Sequence, residues 1–555
     1  MKQMTGAQLI VRLLERQGVR TIAGIPGGAI LPLYDALSGS DVIRHVLARH
    51  EQGAGFMAQG MARVSGRPEV CFASSGPGAT NLVTAIADAM LDSIPMVAIT
   101  GQVPLPMIGT DAFQEVDIYG ITVPITKHNF LVRSATELLE VIPEAFRLAM
   151  SGRPGPVLVD VPKDVQNQLI EIETLPEPAE PDPAPVLDLA AIERAAEMIN
   201  AAERPVLYLG GGVIHSGASQ QAVTLAEQAS LPTTMTLMGL GALPLDHPLS
   251  IGMLGMHAAR YTNFVLEEAD LLICVGARFD DRAIGKAAQF CPNANIIHID
   301  VDPSELHKIK TAHVAINGDV AKVLDALLPQ VKVKLRDAWL AQVDGLRNRY
   351  PMEMPARDDP RSHYGLIHAV ASALDDEAII TTDVGQHQMW VAQAYPFRRP
   401  RQWLTSGGLG TMGFGMPAAV GAALAAPERT VVCFSGDGSL LMNIQELATL
   451  AEEGLNVKIV LMNNNSLGLV YQQQNLFYGK RVFASKYRGA PDFLRIAEGF
   501  GIAAVDLDAA ANPAETLAQA LSAPGPCLIH ASIDREQFVF PMVPPGAANT
   551  EMIGG

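Results

Sequence analysis

Gly436-Asp437-Gly438-Ser439 closes the apolar run Val431-Val432-Cys433-Phe434, and the second Asn of Asn463-Asn464-Asn465 follows Asp437 by 27 positions. Residues 431–434 and 458–462 each read as a short buried strand, and the amphipathic stretch 442–453 between them reads as a crossover helix. This is one βαβ unit. Both strands are then parallel neighbours, so Asp437 and Asn464 share a carboxyl edge, where open α/β sheets bind ligands. One carboxylate and one amide oxygen, completed by a backbone carbonyl and water, suit Mg²⁺, which is usually shared with substrate phosphates. Glycines beside Asp437 let a diphosphate approach the backbone, and the next helix offers it an N-terminus. Either half alone would be an ordinary strand-ending turn; the spacing inside one unit favours a metal and diphosphate site.

At 555 residues the chain exceeds a single core and predicts three or four domains. With 48% hydrophobic and 18% charged residues it has the profile of an α/β enzyme with much buried surface, some of it in an oligomer. A net charge of −18 and the lack of a basic run interleaved with aromatics argue against a nucleic-acid surface. Cys71, Cys274, Cys291, Cys433 and Cys527 are odd in number with no Cys-x-x-Cys spacing, which predicts core cysteines in a reducing, cytoplasmic setting. No signal or transit peptide is visible, and the apolar stretch 412–426, broken by Gly415 and Pro417, reads as a buried helix rather than a membrane span.

The Pro-rich acidic stretch 175–185 and a second one, 349–360, divide the chain into blocks at 1–175, 186–348 and 361–540, with a tail at 541–555. The first and third blocks echo one another. Gly155-Pro156 and Gly525-Pro526 each open a late buried strand, and Ser75-Gly76-Pro77-Gly78 and Ser435-Gly436-Asp437-Gly438 are both glycine turns between strand and helix. Two echoes in register predict a duplicated α/β domain. In the middle block, strands end at Gly210-Gly211-Gly212, at Gly276 and at Asp300, the pattern of a doubly wound sheet that binds a nucleotide. Gly408-Leu409-Gly410-Thr411-Met412-Gly413 matches the dinucleotide fingerprint only in letters: it follows a poor strand and lacks the acid about 20 residues on, so it reads as a glycine-rich loop beside a ligand.

Further segments complete the picture: Ile25-Pro26-Gly27-Gly28-Ala29, Arg49-His50-Glu51-Gln52, Gly109-Thr110-Asp111-Ala112-Phe113-Gln114-Glu115, Ser151-Gly152-Arg153-Pro154-Gly155-Pro156, Gly276-Ala277-Arg278-Phe279-Asp280-Asp281-Arg282 and Gly385-Gln386-His387-Gln388-Met389-Trp390. On these the chain resembles the thiamin diphosphate enzymes and, within them, the acetohydroxyacid synthase catalytic subunits over essentially its whole length. The resemblance implies three doubly wound parallel-sheet α/β domains: pyrimidine-binding, FAD-binding and diphosphate-binding. It also implies a homodimer or dimer of dimers with active sites between chains, and a small regulatory subunit.

By motif position, Glu51 is similar to the carboxylate that contacts the cofactor's aminopyrimidine, where general acid–base work would expose the nucleophile. The implied cycle decarboxylates pyruvate and joins the two-carbon unit to a second 2-oxoacid. Phe113, Gln114, Lys163 and the backbone at Gly28 match positions lining that pocket, and Met412 resembles the apolar wedge that bends the cofactor. The implied thiamin diphosphate contacts are Pro26, Gly27, Ser74, Pro77 and Asn81 from the first block. From the third come Gly385, Gln386, His387, Gly410, Gly438, Ser439, Gly468 and Leu469, and the Ser466 backbone joins Asp437 and Asn464 at the metal.

FAD is implied by Asp92 and Arg153, by Gly210, Gly211, Gly212, Thr236 and Leu237, and by Leu254, Gly255, Met256 and His257. The same implication extends to Gly276, Ala277, Arg278, Asp280 and Arg282, to Asp300, Val301, Gly318 and Asp319, and to Gln388, Met389 and Gly407. The reaction has no net redox change, so the flavin would be structural. Catabolic acetolactate synthases lack the Arg278-Phe279-Asp280-Asp281-Arg282 segment, which places this chain with the biosynthetic branch. Arg282 and Gln473 fall at substrate-selecting positions. Most members carry Trp where Gln473 stands, so the preference for 2-oxobutanoate should weaken, as in the bacterial isozyme I branch. The alternatives are a 2-oxoacid decarboxylase, pyruvate oxidase or glyoxylate carboligase on the same fold, the last disfavoured by Glu51. A flavin or nicotinamide dehydrogenase built on the middle block, or a non-catalytic scaffold, would leave the Asp437 and Asn464 pair unexplained.

Overall fold

The computed structural model describes residues 2–554 and contains three six-stranded sheets, parallel throughout. With strands numbered in chain order within each sheet, the first (strands within 21–162) and the third (within 379–532) share the order 2-1-3-4-6-5. Both echoes fall on matching positions: the glycine turns end the third strand of each sheet, and the Gly-Pro segments open the sixth. The duplication read from the sequence is therefore one of topology.

The middle sheet (within 205–317) has the order 3-2-1-4-5-6, the dinucleotide-binding arrangement. Its order reverses between Pro205–Leu209 and Leu271–Val275, which pair directly, so the turns at Gly210 and Gly276 sit together at the switch point. A Cβ on Gly212 would lie 2.7 Å from the Gly276 Cα, and Gly276 has φ +59°, so the sequence needs glycine at both.

The first and third blocks bury one apolar cluster between them. The helix Glu51–Ser65 lies against Gly415–Ala425, and a Cβ on Gly60 or Gly421 would overlap the carbonyl of Ala418 or Met57. The helix predicted over 412–426 begins at Gly415, and all five cysteines are buried and free. One expectation shifts: in place of a helix from 442, a short turn of helix, Asp437–Leu440, comes first and the crossover helix is Glu446–Glu453. Between the two, the Asn443 side-chain amide donates to the Gly413 carbonyl at 2.7 Å. The stretch 175–185 is without helix or strand and lies along the first block, where Arg16 donates to the Pro176 carbonyl. Among the described residues, no helix is long and apolar enough to cross a membrane.

Candidate active site

Asp437 follows the strand Val431–Gly436 and begins Asp437–Leu440, while Asn464 follows the adjacent parallel strand Val457–Asn463. The Ser466 N–H donates to Asp437 Oδ2 at 3.0 Å and to Asn464 Oδ1 at 3.1 Å, so the two oxygens converge on one point. Asn464 keeps that orientation because its Nδ2 donates to Gln386 Oε1 at 2.9 Å. Burial pushes the Asp437 carboxyl up to about 6, against backbone N–H groups that hold it down. It is ionised at neutral pH, and a carboxylate and an amide oxygen so placed form a donor set for a hard divalent cation.

Around them is a cavity of about 190 Å³ lined by Gly385, Gln386, His387, Gly410, Met412, Asp437, Gly438, Ser439, Asn464, Ser466, Gly468 and Leu469. These are the third-block positions expected at the diphosphate and metal, gathered in one place. His387 adds an independent sign of fit: it is buried and held neutral, its pKa pushed down to about 3 by desolvation, and its Nε2 has no hydrogen-bond partner. A buried ring nitrogen without a partner, on a residue that lines the cavity, suits a ligand's polar group.

Among the first-block positions, Glu51 meets Asn81 and Gly27 meets Ser74. Asn81 donates to Glu51 Oε2 at 2.9 Å, a Cβ on Gly78 would sit 3.3 Å from Glu51 Oε1, and one on Gly27 would meet Ser74. Lys163 starts the helix after the strand Pro156–Pro162, and Phe113 is 88% exposed. Pro26, Gly27, Gly28, Glu51, Ser74, Pro77, Asn81, Phe113, Gln114 and Lys163 line neither this cavity nor the larger one. Within one chain the first-block set contributes nothing to the lining of the Asp437 cavity.

The larger cavity, about 720 Å³, opens beside the first; Val384, Gly410 and Leu469 line both. Its walls include Asp92, Arg153, Gly211, Gly212, Thr236, Leu237, Leu254, Met256 and His257, then Gly276, Ala277, Arg278, Asp280, Arg282, Asp300, Val301 and Asp319, and finally Gln388, Met389 and Gly407. Gln473 lines it too, with Met542 from the C-terminal tail, which is tied back where Val543 N–H donates to the Met256 carbonyl. The size and the glycine cradle suit a dinucleotide. Gly210, Gly255 and Gly318 lie outside its lining; Gly210 is spent on the turn, its N–H donating to Val275. Two of the acids have local work as helix caps: Asp280 accepts from Arg282 and Ala283, and Asp319 from Lys322.

Asp88, Asp383 and Arg63, which the sequence reading did not single out, join Asp92 in shaping the loop that separates the cavities. Asp92 accepts from the Gly407 and Gly408 N–H groups, Asp88 from Thr411 Oγ1 at 2.8 Å and from Ser406 Oγ, and Asp383 from the Gly413 N–H at 2.7 Å. Three buried carboxylates thus pin the backbone on both sides of Met412. Arg63, also buried, pairs with Asp92 at 2.7 Å and lies 3.7 Å from Asp88. Their signal was acids at i and i+4 in the otherwise apolar helix Val83–Asp92. Arg63→Met should destabilise the fold by about 3–5 kcal/mol, because two buried acids lose their cation. Urea unfolding measures this, and a loss below about 1 kcal/mol would contradict a structural role for the pair.

Family models match all three blocks: "Thiamine pyrophosphate enzyme, N-terminal TPP binding domain" at 4–121, "central domain" at 192–327 and "C-terminal TPP binding domain" at 383–531. The chain is 65% identical to the acetolactate synthase isozyme 1 large subunit of Escherichia coli (strain K12), covering 100% of this chain and 98% of that protein. The chain belongs to the acetolactate synthase large-subunit family. The isozyme 2 large subunit of the same organism is 48% identical with 99% of each chain covered. A probable acetolactate synthase large subunit of Methanocaldococcus jannaschii is 45% identical, covering 99% of this chain and 95% of that protein. Thiamin diphosphate is the cofactor for which the terminal blocks are built.

Proposed function

We propose that this chain decarboxylates pyruvate and joins the two-carbon unit to pyruvate or 2-oxobutanoate, giving 2-acetolactate or 2-aceto-2-hydroxybutanoate for branched-chain amino-acid synthesis. The observation that carries this reading is the convergence of Asp437 and Asn464 oxygens in a cavity that also presents the orphaned His387 nitrogen. Bound thiamin diphosphate supplies the carbanion chemistry. The chain's residues bind, orient and exchange protons. Asp437, Asn464 and the Ser466 backbone hold Mg²⁺, while Gly438 and Ser439 let the diphosphate approach. Glu51, which accepts from Asn81, would be the carboxyl that exchanges a proton with a bound aminopyrimidine. Met412, on its pinned loop in the wall of the smaller cavity, would be the apolar wedge against the cofactor, and Gly28, Phe113, Gln114 and Lys163 would receive the second 2-oxoacid.

The separation of Glu51 from the Asp437 cavity supports a site completed by a second copy, hence a homodimer or dimer of dimers. FAD in the larger cavity is the structural cofactor of this reading, and Gly211, Gly212, Gly276, Arg153, Arg278 and Asp300 would hold it. The relatives are named as large subunits, which supports a small regulatory subunit as partner.

Gln473 lines the larger cavity near Leu469, with an amide where an indole would pack one extra methylene. With equimolar pyruvate and 2-oxobutanoate, the chain should form both products at comparable rates per unit substrate. Gln473→Trp should shift the ratio toward the 2-oxobutanoate product by about tenfold or more, since a methylene is worth about 1–3 kcal/mol. An unchanged ratio in that variant would remove Gln473 from substrate selection.

A further inference from the structure

Asp506, Asp508 and His530 bring three potential metal-ligating atoms within 4.8 Å of one another on the third sheet. Their hydrogen bonds speak for a different role. Asn463 Oδ1 accepts from the Asn465 N–H at 3.0 Å, which fixes the amide and turns its Nδ2 toward His530 Nε2, also at 3.0 Å. Nε2 therefore accepts, the ring proton lies on Nδ1, and Nδ1 donates to Asp506 Oδ1 at 3.3 Å. Asp506 also accepts from the Asp508 N–H, and both Asp508 oxygens accept from the Ser532 N–H. Both ring nitrogens of His530 and both carboxylate oxygens of Asp508 are already engaged.

We propose that Asp506, His530 and Asn463 form a hydrogen-bonded brace that sets loop 463–466 for cation binding, with His530 as its positioning residue. The inference rests on the cation site proposed above. The loop is demanding: Asn465 takes φ +52°, and its carbonyl is held by Arg535 at 3.0 Å and by the Tyr487 N–H at 3.3 Å. Only when the Asn463 amide keeps its orientation does the Asn465 N–H stay satisfied. Asn464 then faces Asp437, and the Ser466 N–H reaches both oxygens. The brace runs laterally through the sheet, since Asp506 pairs with His530 in register and Ser532 with Asn463.

The test is a Mg²⁺ titration of apo-protein at saturating thiamin diphosphate, followed by intrinsic fluorescence and by thermal shift. His530→Leu severs the brace and should raise half-saturating Mg²⁺ about 10-fold or more, the effect typical of outer-shell partners, with kcat at saturating cofactors near wild type. His530→Gln, whose amide accepts from Asn463 and donates to Asp506, should stay close to wild type. Asp506→Ala, at the half-buried far end, should move half-saturation in the same direction by less, and serves if the leucine variant does not fold. Wild-type half-saturation in both His530→Leu and Asp506→Ala, beside a lost signal in Asp437→Ala, would overturn the brace alone. Stoichiometric Zn²⁺ binding that His530→Leu abolishes would also overturn it, in favour of a second metal site. A wild-type protein with no Mg²⁺-dependent signal would sink the cation-site reading and the brace with it.

Discussion

Asp437→Ala should abolish product formation at Mg²⁺ and thiamin diphosphate concentrations that saturate the wild type, and a large excess of both should restore part of it. The cause is loss of an anchor. The carboxylate supplies the only formal negative charge lining the smaller cavity, whose other lining groups are backbone, amides, hydroxyls, a neutral His387 and apolar side chains. Without it the cation keeps an amide and a carbonyl, and apparent Mg²⁺ affinity should fall about 100-fold or more, beyond the 10–100-fold typical of outer-shell changes. Cofactor affinity equal to wild type in this variant would show that the metal is held elsewhere.

Glu51→Gln should behave in the opposite way, lowering kcat by about 10²–10⁴-fold while cofactor half-saturation stays near wild type. Glu51 and its partner Asn81 lie outside the cation cavity, so the amide removes a proton-transfer group without touching the anchor. The same separation makes a mixing experiment decisive for the shared site. Equal amounts of Glu51→Gln and Asp437→Ala chains, unfolded and refolded together, should recover about a quarter of wild-type activity, because a two-fold hybrid holds one site with both residues intact. No recovery, with hybrids present, would place both residues of each site in the same chain.

What the sequence disclosed was set by period and spacing. Apolar runs ending in glycine or an acid mark the carboxyl edges of parallel strands, so the Asp437 and Asn464 pair, the glycine turn at 210–212 and the duplicated blocks were all readable, and identical strand orders now account for the echoes. Long-range partners were not. Arg63 meets Asp88 and Asp92 through tertiary packing, and Asp88 serves a loop more than 300 positions away. Nor does a family position reveal how much of a carboxylate is already committed: Asp280 and Asp319 cap helices, and Asp92 holds backbone N–H groups. The first and third asparagines of 463–465 were likewise silent, since their roles depend on a histidine two strands' connection away.

The central claim is best tested by incubating the purified chain with pyruvate and 2-oxobutanoate, resolving the products, and omitting thiamin diphosphate, Mg²⁺ and FAD in turn. Acetolactate and acetohydroxybutanoate should both form with release of carbon dioxide, and each omission should abolish or sharply reduce them. Acetaldehyde or acetyl phosphate as the sole product, or synthesis indifferent to thiamin diphosphate, would contradict it.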